Sequence, residues 1–475
     1  MSNSTPRLLW DFSSLATGQF VSMALGFVGF ALLARALDPE SYGVAEYVVG
    51  LTGLAAILVE GGFGPIGARD VSRDPSLASA RAAQIIGARL VLALVVVPLV
   101  GFSSGLTARP SEVAPLTWWF AGSLFFLAFK QDWLLQSFER MKYVAPAQVL
   151  KSAVFALGIL TAVSGSDDLS LVGAVEFTAA FVVALYYLIA QHRLKVPLRV
   201  SLGLRQIWPL IRAGSAVSAS TVVWTFMLYA PILLVTSLSG SAEAAWLGSA
   251  QRIVFSSVSF SGLYFFNLYP AITRTLSKDR IAWEQLMESS YRVIAWGSIA
   301  IALASTFVAR PLIVLVYGST FSAAAPVLSV FIWLLPVRLL SGHARWTLMA
   351  GERQEFVLLA DLCGAVGLIV SGALFIKMYG AIGAAASLVA ANVVAWIAAD
   401  LLVARHVRQL PGPRHVLVPL AAAAASVVLA RLVSGNVYIE LGVSAAAYGA
   451  CMRAAAGDLV GDVRRLAYAK NAPAA

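Results

Sequence analysis

Residues 133–143 read WLLQSFERMKY, and residues 346–356 read WTLMAGERQEF. The two stretches share the frame W-x-L-x-x-x-E-R-x-x-aromatic at an offset of 213 positions (346 minus 133). Stretches 65–74 and 270–279 also match, at an offset of 205, with Pro, Arg, Ser, a basic residue and Asp in the same order. Each stretch follows a long apolar run. Chance similarity between basic loops is the alternative, but the ordered Trp, Glu, Pro and Asp favour two related halves.

The composition indicates that lipid surrounds most of the chain. Of its residues, 59% are hydrophobic and 12% are charged, whereas a soluble domain carries about 25% charged residues. Apolar runs of 18 or more residues are typical of membrane-spanning helices. We therefore predict an all-α polytopic membrane protein with about fourteen spans. These are residues 11–35, 41–64, 80–107, 114–138, 143–164, 168–190, 213–238, 242–269, 287–309, 322–344, 355–377, 380–404, 415–433 and 437–455.

The distribution of Lys and Arg orients these spans. With both termini in the cytoplasm, 24 of the 34 basic residues fall on inner loops and tails. Five fall at outer ends, namely Arg35, Arg109, Arg310, Lys377 and Arg431. This asymmetry follows the positive-inside rule. The net charge of +10 is thus explained by topology. A nucleic-acid partner is not expected, because the basic residues do not cluster as a binding face requires.

Both repeated motifs fall on predicted inner loops, so the halves have the same orientation and six spans each. Substrate binding between two such repeats is typical of transporters. We predict an N-terminal six-helix bundle over 1–190 and a C-terminal bundle over 213–407. Residues 191–212 are predicted as an amphipathic linker on the inner face, with a basic loop as the alternative. Residues 408–475 are predicted to form two additional helices and a cytoplasmic tail.

Charged residues inside predicted spans are candidates for the functional site, since a charge at the bilayer centre costs about 2.5–3.5 kcal/mol on insertion scales. Five cations in the spans predict a cavity for an anionic cargo, such as a phosphate or pyrophosphate. They are Arg89, Lys130, Lys151, Arg252 and Arg338. Four acids are expected to pair with the cations or to carry a coupling ion, either H⁺ or Na⁺. They are Glu60, Asp132, Glu176 and Asp361. The alternative for each residue is snorkelling or a structural ion pair.

The two halves differ at one informative position. Lys130 and Asp132 of the first half correspond to His343 and Arg345 of the second. His343 could titrate near neutral pH, although a hydrogen-bonded histidine at a helix end is the preferred interpretation. The repeated Glu-Arg pairs and the basic residues near them predict an inner gate, with topology anchors as the alternative. The gate residues are Arg69, Asp70, Glu139, Arg140, Arg274, Glu352 and Arg353.

Other motifs carry no chemistry. Residues 62–67 fit G-x-G-x-x-G, but they follow a span rather than a β-strand, so we interpret them as a flexible helix end and not as a nucleotide site. No cofactor is expected, and no His, Cys, Asp or Glu spacing is typical of a metal site. Outer loops such as 36–40 and 239–241 are too short to hold a catalytic domain. An enzyme is therefore not expected.

Three stretches resemble the flippases of lipid-linked polysaccharides. They are EGGFG at 60–64 followed by Arg69-Asp70, DWLLQSFERMKY at 132–143 and ARALDPESYG at 34–43. The resemblance covers the first 200 residues well and the rest by topology. This family belongs to the multidrug/oligosaccharidyl-lipid/polysaccharide exporter (MOP) superfamily. Its members resemble two six-helix bundles that form a V, often with two extra helices.

The resemblance implies a function. It implies transfer of an undecaprenyl-pyrophosphate-linked oligosaccharide from the inner to the outer leaflet of the cytoplasmic membrane, by alternating access. The implied partners are the lipid-linked oligosaccharide, membrane lipids and other proteins of polysaccharide assembly. Two alternatives stay open. One is a cation-coupled multidrug exporter of the same superfamily, and the other is a membrane glycosyltransferase or polymerase.

Overall fold

The computed structural model describes residues 4–106, 110–433 and 435–471, and Arg109 lies outside them. The described residues form helices and no β-strand. The chain divides into two compact units, Met1–Ala245 and Trp246–Ala475. The helices are α1 (Ser4–Ala36), α2 (Pro39–Glu60), α3 (Phe63–Arg73), α4 (Ala78–Ser103), α5 (Pro110–Ser123), α6 (Asp132–Ser137), α7 (Val144–Ala162), α8 (Leu169–Arg193), α9 (Leu204–Ser239), α10 (Ser241–Lys278), α11 (Arg280–Tyr317), α12 (Ala324–Phe331), α13 (Leu334–Ala350), α14 (Gln354–His406), α15 (Arg414–Val433), α16 (Val437–Ala455) and α17 (Leu459–Asn471).

Eleven helical segments of the described chain are long and apolar enough to cross a membrane. One of them, α14, contains two predicted spans separated by a kink at Gly380, where φ is 55° and ψ is −130°. The two remaining predicted spans lie on α10 and α16. Each of the fourteen predicted spans therefore falls on helix. The prediction of an all-α polytopic membrane protein is confirmed.

The two W-x-L-x-x-x-E-R stretches fold in the same way. Glu139 and Glu352 both have a left-handed backbone, with φ of 55° and 57°. Arg140 N–H donates to Leu135 O at 2.8 Å, and Glu139 N–H donates to Gln136 O at 2.9 Å. The corresponding bonds of the second copy are Arg353 to Leu348 at 2.9 Å and Glu352 to Met349 at 3.2 Å. These 6→1 and 5→2 bonds define a Schellman motif. The sequence repeat is therefore also a repeat of backbone structure.

Stretches 65–74 and 270–279 also end with the same backbone conformation. Asp74 has φ of −140° and ψ of 95°, and Asp279 has φ of −142° and ψ of 105°. Asp74 accepts hydrogen bonds from Ser76 N–H at 3.0 Å and Ser76 Oγ at 2.6 Å, which lower the pKa of the Asp74 carboxyl. Asp279 accepts from Ala282 N–H at 3.0 Å. Each Asp thus caps the helical segment that follows it.

The halves differ in the continuity of their spans. The second span is broken at Gly61 and Gly62, which have φ of 60° and 66°. The fourth span passes from α5 through a 3₁₀ segment, Leu124–Phe129, to an extended Lys130, where ψ is 101°. At the equivalent positions of the second half, α10 and α13 continue as helix. Breaks at membrane depth are tolerated where the backbone is buried in protein or lines a cavity.

The linker differs from a single amphipathic helix over 191–212. The helix α8 ends at Arg193, residues 196–203 form no helix, and α9 begins at Leu204. Ser201 N–H donates to Ala83 O at 3.0 Å, so this extended segment lies against α4. This backbone hydrogen bond is made to a neighbouring helix and not within a helical turn of the segment itself. The first compact unit extends to Ala245, so it includes α9, which packs against α2.

Candidate functional site

Where the fourth span breaks, Leu127 O accepts a hydrogen bond from Lys130 N–H at 3.2 Å, and Lys130 itself is extended. Arg89 of α4 is buried, with 3% of its surface exposed. Its guanidinium Nη1 donates to Lys130 O at 2.6 Å and to Leu127 O at 3.3 Å. Arg89 therefore closes the broken helix as a C-terminal cap would, because a cation near the carbonyls of a helix end is stabilising. The sequence predicted that Arg89 lines a cavity for the cargo, and the structure adds this role in closing the break.

A first cavity of about 410 Å³ lies where the two broken spans meet. Lys130 Nζ is 2.7 Å from Glu60 Oε1 and 3.8 Å from Asp132 Oδ2. Each of these three side chains is between 28% and 37% exposed, so they face the cavity rather than the core. The wall also includes Ile57, Gly62, Gly64, Pro65, Arg89, Trp133, Gln136, Ser218 and Thr221.

Close packing of α9 fixes the shape of the break in the second span. A Cβ atom on Gly62 would lie 2.5 Å from Ser218 Oγ and 2.6 Å from Gly214 O. A Cβ atom on Gly214 would lie 2.1 Å from Gly61 O. Glycine is therefore required on both sides by contact, and at Gly61 and Gly62 also by positive φ. As a result Glu60, the last residue of α2, faces Lys130.

A second cavity of about 340 Å³ shares Lys130 and Asp132 with the first. It lies among α1, α7, α8 and the 3₁₀ segment of the fourth span. Lys151 of α7 lines it, and Lys151 Nζ is 2.7 Å from Glu176 Oε1 of α8. The other lining residues are Gln19, Ser22, Phe126, Leu127, Ala147, Gln148, Ser152, Ala180, Val183, Ala184 and Tyr187.

The charges around the two cavities are balanced. The three cations Arg89, Lys130 and Lys151 are matched by Glu60, Asp132 and Glu176. The sequence predicted a cationic cavity, and the structure brings these three predicted cations and three predicted acids together in one unit. Lys130 and Lys151 are each paired with a carboxylate, whereas Arg89 donates to backbone carbonyls.

The remaining predicted charges lie in the second unit. Arg252 lies on α10, and Arg338 of α13 donates to Asn392 Oδ1 at 3.4 Å. Asp361 of α14 is buried and forms a two-fold hydrogen-bonded ion pair with Arg345. The sequence did not predict that Asp361 pairs with Arg345. Arg345 lies just beyond the predicted span 322–344 and was therefore assigned to an inner loop. It lies within α13, one helical turn before the end.

His343 is the second-half counterpart of Lys130, and it is fully buried within α13 rather than at its end. Its Nε2 is 2.6 Å from Ser290 Oγ, and Ser290 Oγ is 2.6 Å from Tyr264 Oη. Its Nδ1 is 3.1 Å from Leu340 O. Both ring nitrogens are therefore hydrogen-bonded, as expected of a structural histidine.

The predicted gate residues fall into different local arrangements. Asp70 is held by Arg69 at 2.9 Å and by Arg81 at 2.8 Å, which ties α3 to α4. Arg140 borders a small cavity with Tyr143 and Arg193, and Arg274 lies on α10. Arg353 is 3.7 Å from Glu355, two residues further along the chain. Glu139 and Glu352 are exposed, and their left-handed backbone, described above, already accounts for their position at the turn.

Two parts of the site were missed by the sequence analysis. The break at Lys130 has no Gly or Pro to indicate it, whereas the adjacent glycines at 61–62 were a usable signal. Gln148 and Ser218, which line the cavities, resemble many other polar residues in spans. Among the described residues, no group of His, Cys, Asp and Glu could hold a metal ion.

Comparison with known proteins assigns the chain to a family. The model of a family described as "Polysaccharide biosynthesis protein" matches residues 8–276, more than half of the chain. The chain belongs to this family. No curated protein matches the chain. The match to the family model confirms the resemblance to the polysaccharide flippase family of the MOP superfamily.

Solved structures share the fold. One is described as "Lipid II flippase MurJ, inward closed conformation", with a TM-score of 0.72, 14% identity, and coverage of 94% of this chain and 99% of that one. An inward-facing multidrug resistance MATE family transporter of the MOP superfamily has a TM-score of 0.62, 16% identity, and coverage of 80% and 93%. An outward-facing one has a TM-score of 0.52, 17% identity, and coverage of 82% and 94%. These likenesses show the fold, and the chain is a multi-pass membrane protein of the polysaccharide biosynthesis family.

Proposed function

We propose that this protein moves an undecaprenyl-pyrophosphate-linked oligosaccharide from the inner to the outer leaflet of the cytoplasmic membrane, by alternating access. The polysaccharide biosynthesis family and the fold shared with a lipid II flippase support this choice of cargo. In this proposal both termini are cytoplasmic, and the cargo arrives from other proteins of polysaccharide assembly.

The observation that carries the proposal is the position of Lys130. It lies at a helix break, lines both cavities and is held by two carboxylates, Glu60 and Asp132. The unwound backbone of a broken span and the charges around it are a recurrent binding arrangement in transporters. A pyrophosphate, with several acceptor oxygens, is a suitable partner for an ammonium and a neighbouring guanidinium.

The balance of charges in the site couples anion binding to the protonation of a carboxylate. An anion that binds Lys130 replaces Glu60 as its counterion, and the negative charge of the anion beside the displaced carboxylate favours the protonated form of Glu60. The charged groups that act on Glu60 are Lys130 of the fourth span, Arg89 of α4 and Lys151 of α7, and Asp132 lines the same cavity. Among the side chains that the structure describes, α9 contributes Ser218 and Thr221 to this wall. Anion binding and proton uptake therefore favour each other, and the linkage is reciprocal.

Transport in vesicles tests the proposal. Purified protein is reconstituted with a lipid-linked oligosaccharide extracted from cells that lack the protein, and its arrival in the other leaflet is measured with an impermeant reagent. The wild type should move the lipid, and Lys130→Gln should slow movement at least tenfold. Lys377→Gln is the matched control, because Lys377 is exposed on α14 and lines neither cavity. No movement by the wild type would reject the function.

The multidrug exporter is the second candidate. The three carboxylates of the site could hold a cationic drug, and the MATE transporters share the fold. Dye efflux driven by a proton or sodium gradient, together with no movement of the glycolipid, would establish this alternative.

A further inference from the structure

The second cavity has a different chemistry from the first. Neutral hydrogen-bonding side chains and two aromatic rings form much of its wall. They are Gln19, Ser22, Phe126, Gln148, Ser152 and Tyr187. Its volume of about 340 Å³ falls at the lower end of ligand pockets, which span about 300–1,000 Å³. The cavity is therefore large enough for a small organic group.

The polar groups of this wall are held in place before any ligand binds. Ser22 Oγ donates to Gln148 O at 3.0 Å and lies 2.9 Å from Ser152 Oγ. These bonds join α1 to α7. In contrast, the side-chain oxygen Oε1 of Gln148 is buried and has no hydrogen-bond partner among the described residues. A buried acceptor left unsatisfied is unfavourable, so a hydroxyl donor at this position would stabilise the site.

The cations of this cavity do not require an anionic ligand. Lys151 is paired with Glu176, and Lys130 with Glu60 and Asp132. A ligand in this cavity would meet amide and hydroxyl groups and two aromatic ring faces. It would also meet the remaining hydrogen-bond donors and acceptors of the paired charged side chains. Such a combination matches a sugar, which presents hydroxyls at its edge and C–H groups on its faces.

We propose that this cavity, lined by α1, α7 and α8, binds the sugar rings of the cargo next to its pyrophosphate. The inference rests on the proposed function. Lys130 and Asp132 line both cavities, so a pyrophosphate at Lys130 in the first cavity lies beside the second. In a lipid-linked oligosaccharide the first sugar is bonded directly to the pyrophosphate. The order of the two cavities therefore follows the order of groups in the cargo.

Equilibrium binding of two lipids tests the inference. The probes are the lipid-linked oligosaccharide extracted from cells lacking the protein and sugar-free undecaprenyl pyrophosphate. The wild type should bind the glycosylated lipid more tightly. Gln148→Leu and Ser152→Ala should weaken its binding about five- to tenfold, the effect of losing one or two hydrogen bonds. Binding of the sugar-free lipid should not change. Thr161→Val is the control, because Thr161 lies on α7 outside the cavity.

The outcomes separate the two proposals. If wild type binds both lipids equally, or if Gln148→Leu weakens both to the same degree, the sugar site is rejected while the flippase function stands. If the wild type binds neither lipid and moves neither in vesicles, the flippase function itself is rejected. Thermal unfolding of each variant shows whether a loss of binding reflects loss of folded protein.

Discussion

Glu139 and Glu352, 213 residues apart, occupy the same left-handed position of two Schellman motifs. Glycine is the usual residue there, because a Cβ atom is strained at positive φ. The third residue other than glycine with positive φ among the described residues is Lys195, which also follows the end of a helix, α8. The repeated Glu-Arg pair is therefore explained first by how two helices end.

This explanation predicts how the two glutamates tolerate substitution. Glu139→Gly and Glu352→Gly should keep transport, and the melting temperature should stay unchanged or rise, because up to about 1 kcal/mol of backbone strain is removed. Glu139→Val should lower the melting temperature, since a β-branched residue disfavours positive φ. Loss of transport in a well-folded Glu139→Gly variant would instead show that the carboxylate acts in a gate.

The break in the second span predicts a strict need for glycine. Gly62→Ala should destabilise the protein by about 2 kcal/mol or more, since strained backbone costs about 1–3 kcal/mol and the new methyl group would overlap α9. Gly165→Ala is the control, because a Cβ atom there meets nothing within 4 Å and φ is extended at −167°. Equal melting temperatures for the two variants would contradict the close contact with α9.

Arg89 is predicted to matter for stability as well as for transport. Arg89→Met leaves Lys130 O without its charged donor, and hydrogen bonds to charged groups contribute about 1.5–3 kcal/mol. We expect a lower melting temperature for Arg89→Met and a smaller loss for Arg89→Lys, which keeps one donor. Arg199→Met, in the exposed linker, should have no effect. An Arg89→Met variant that is as stable as wild type would leave Arg89 with a role in binding alone.

The Arg345–Asp361 pair gives a prediction for the second unit. Asp361→Asn should destabilise the protein, because breaking a buried pair costs about 3–5 kcal/mol. The double variant Arg345→Met/Asp361→Leu should recover much of this loss. Thermal unfolding of the single and double variants measures the coupling, and additive losses would show that the two residues act independently.

The sequence predicted the fold because apolar runs and loop charges are local signals. It also predicted which charges lie in the membrane, and three of the cations and three of the acids line or border two adjoining cavities. It could not predict their partners, since Lys130 and Glu60 are 70 residues apart and meet only after two spans break. The fourth-span break has no Gly or Pro, and Arg89, 41 residues from Lys130, stabilises it. The two halves differ at Lys130 against His343, and Lys130 lines both cavities whereas His343 is buried.

Proton uptake on cargo binding measures whether the cargo replaces Glu60 at Lys130. Binding of the lipid-linked oligosaccharide is measured by calorimetry near neutral pH in two buffers of different ionisation enthalpy. We expect uptake of about one proton by the wild type, by linkage, and none by Glu60→Gln, which has no carboxylate to protonate at position 60. Binding without proton uptake, or uptake that persists in Glu60→Gln, would contradict the exchange of Glu60 for the cargo at Lys130.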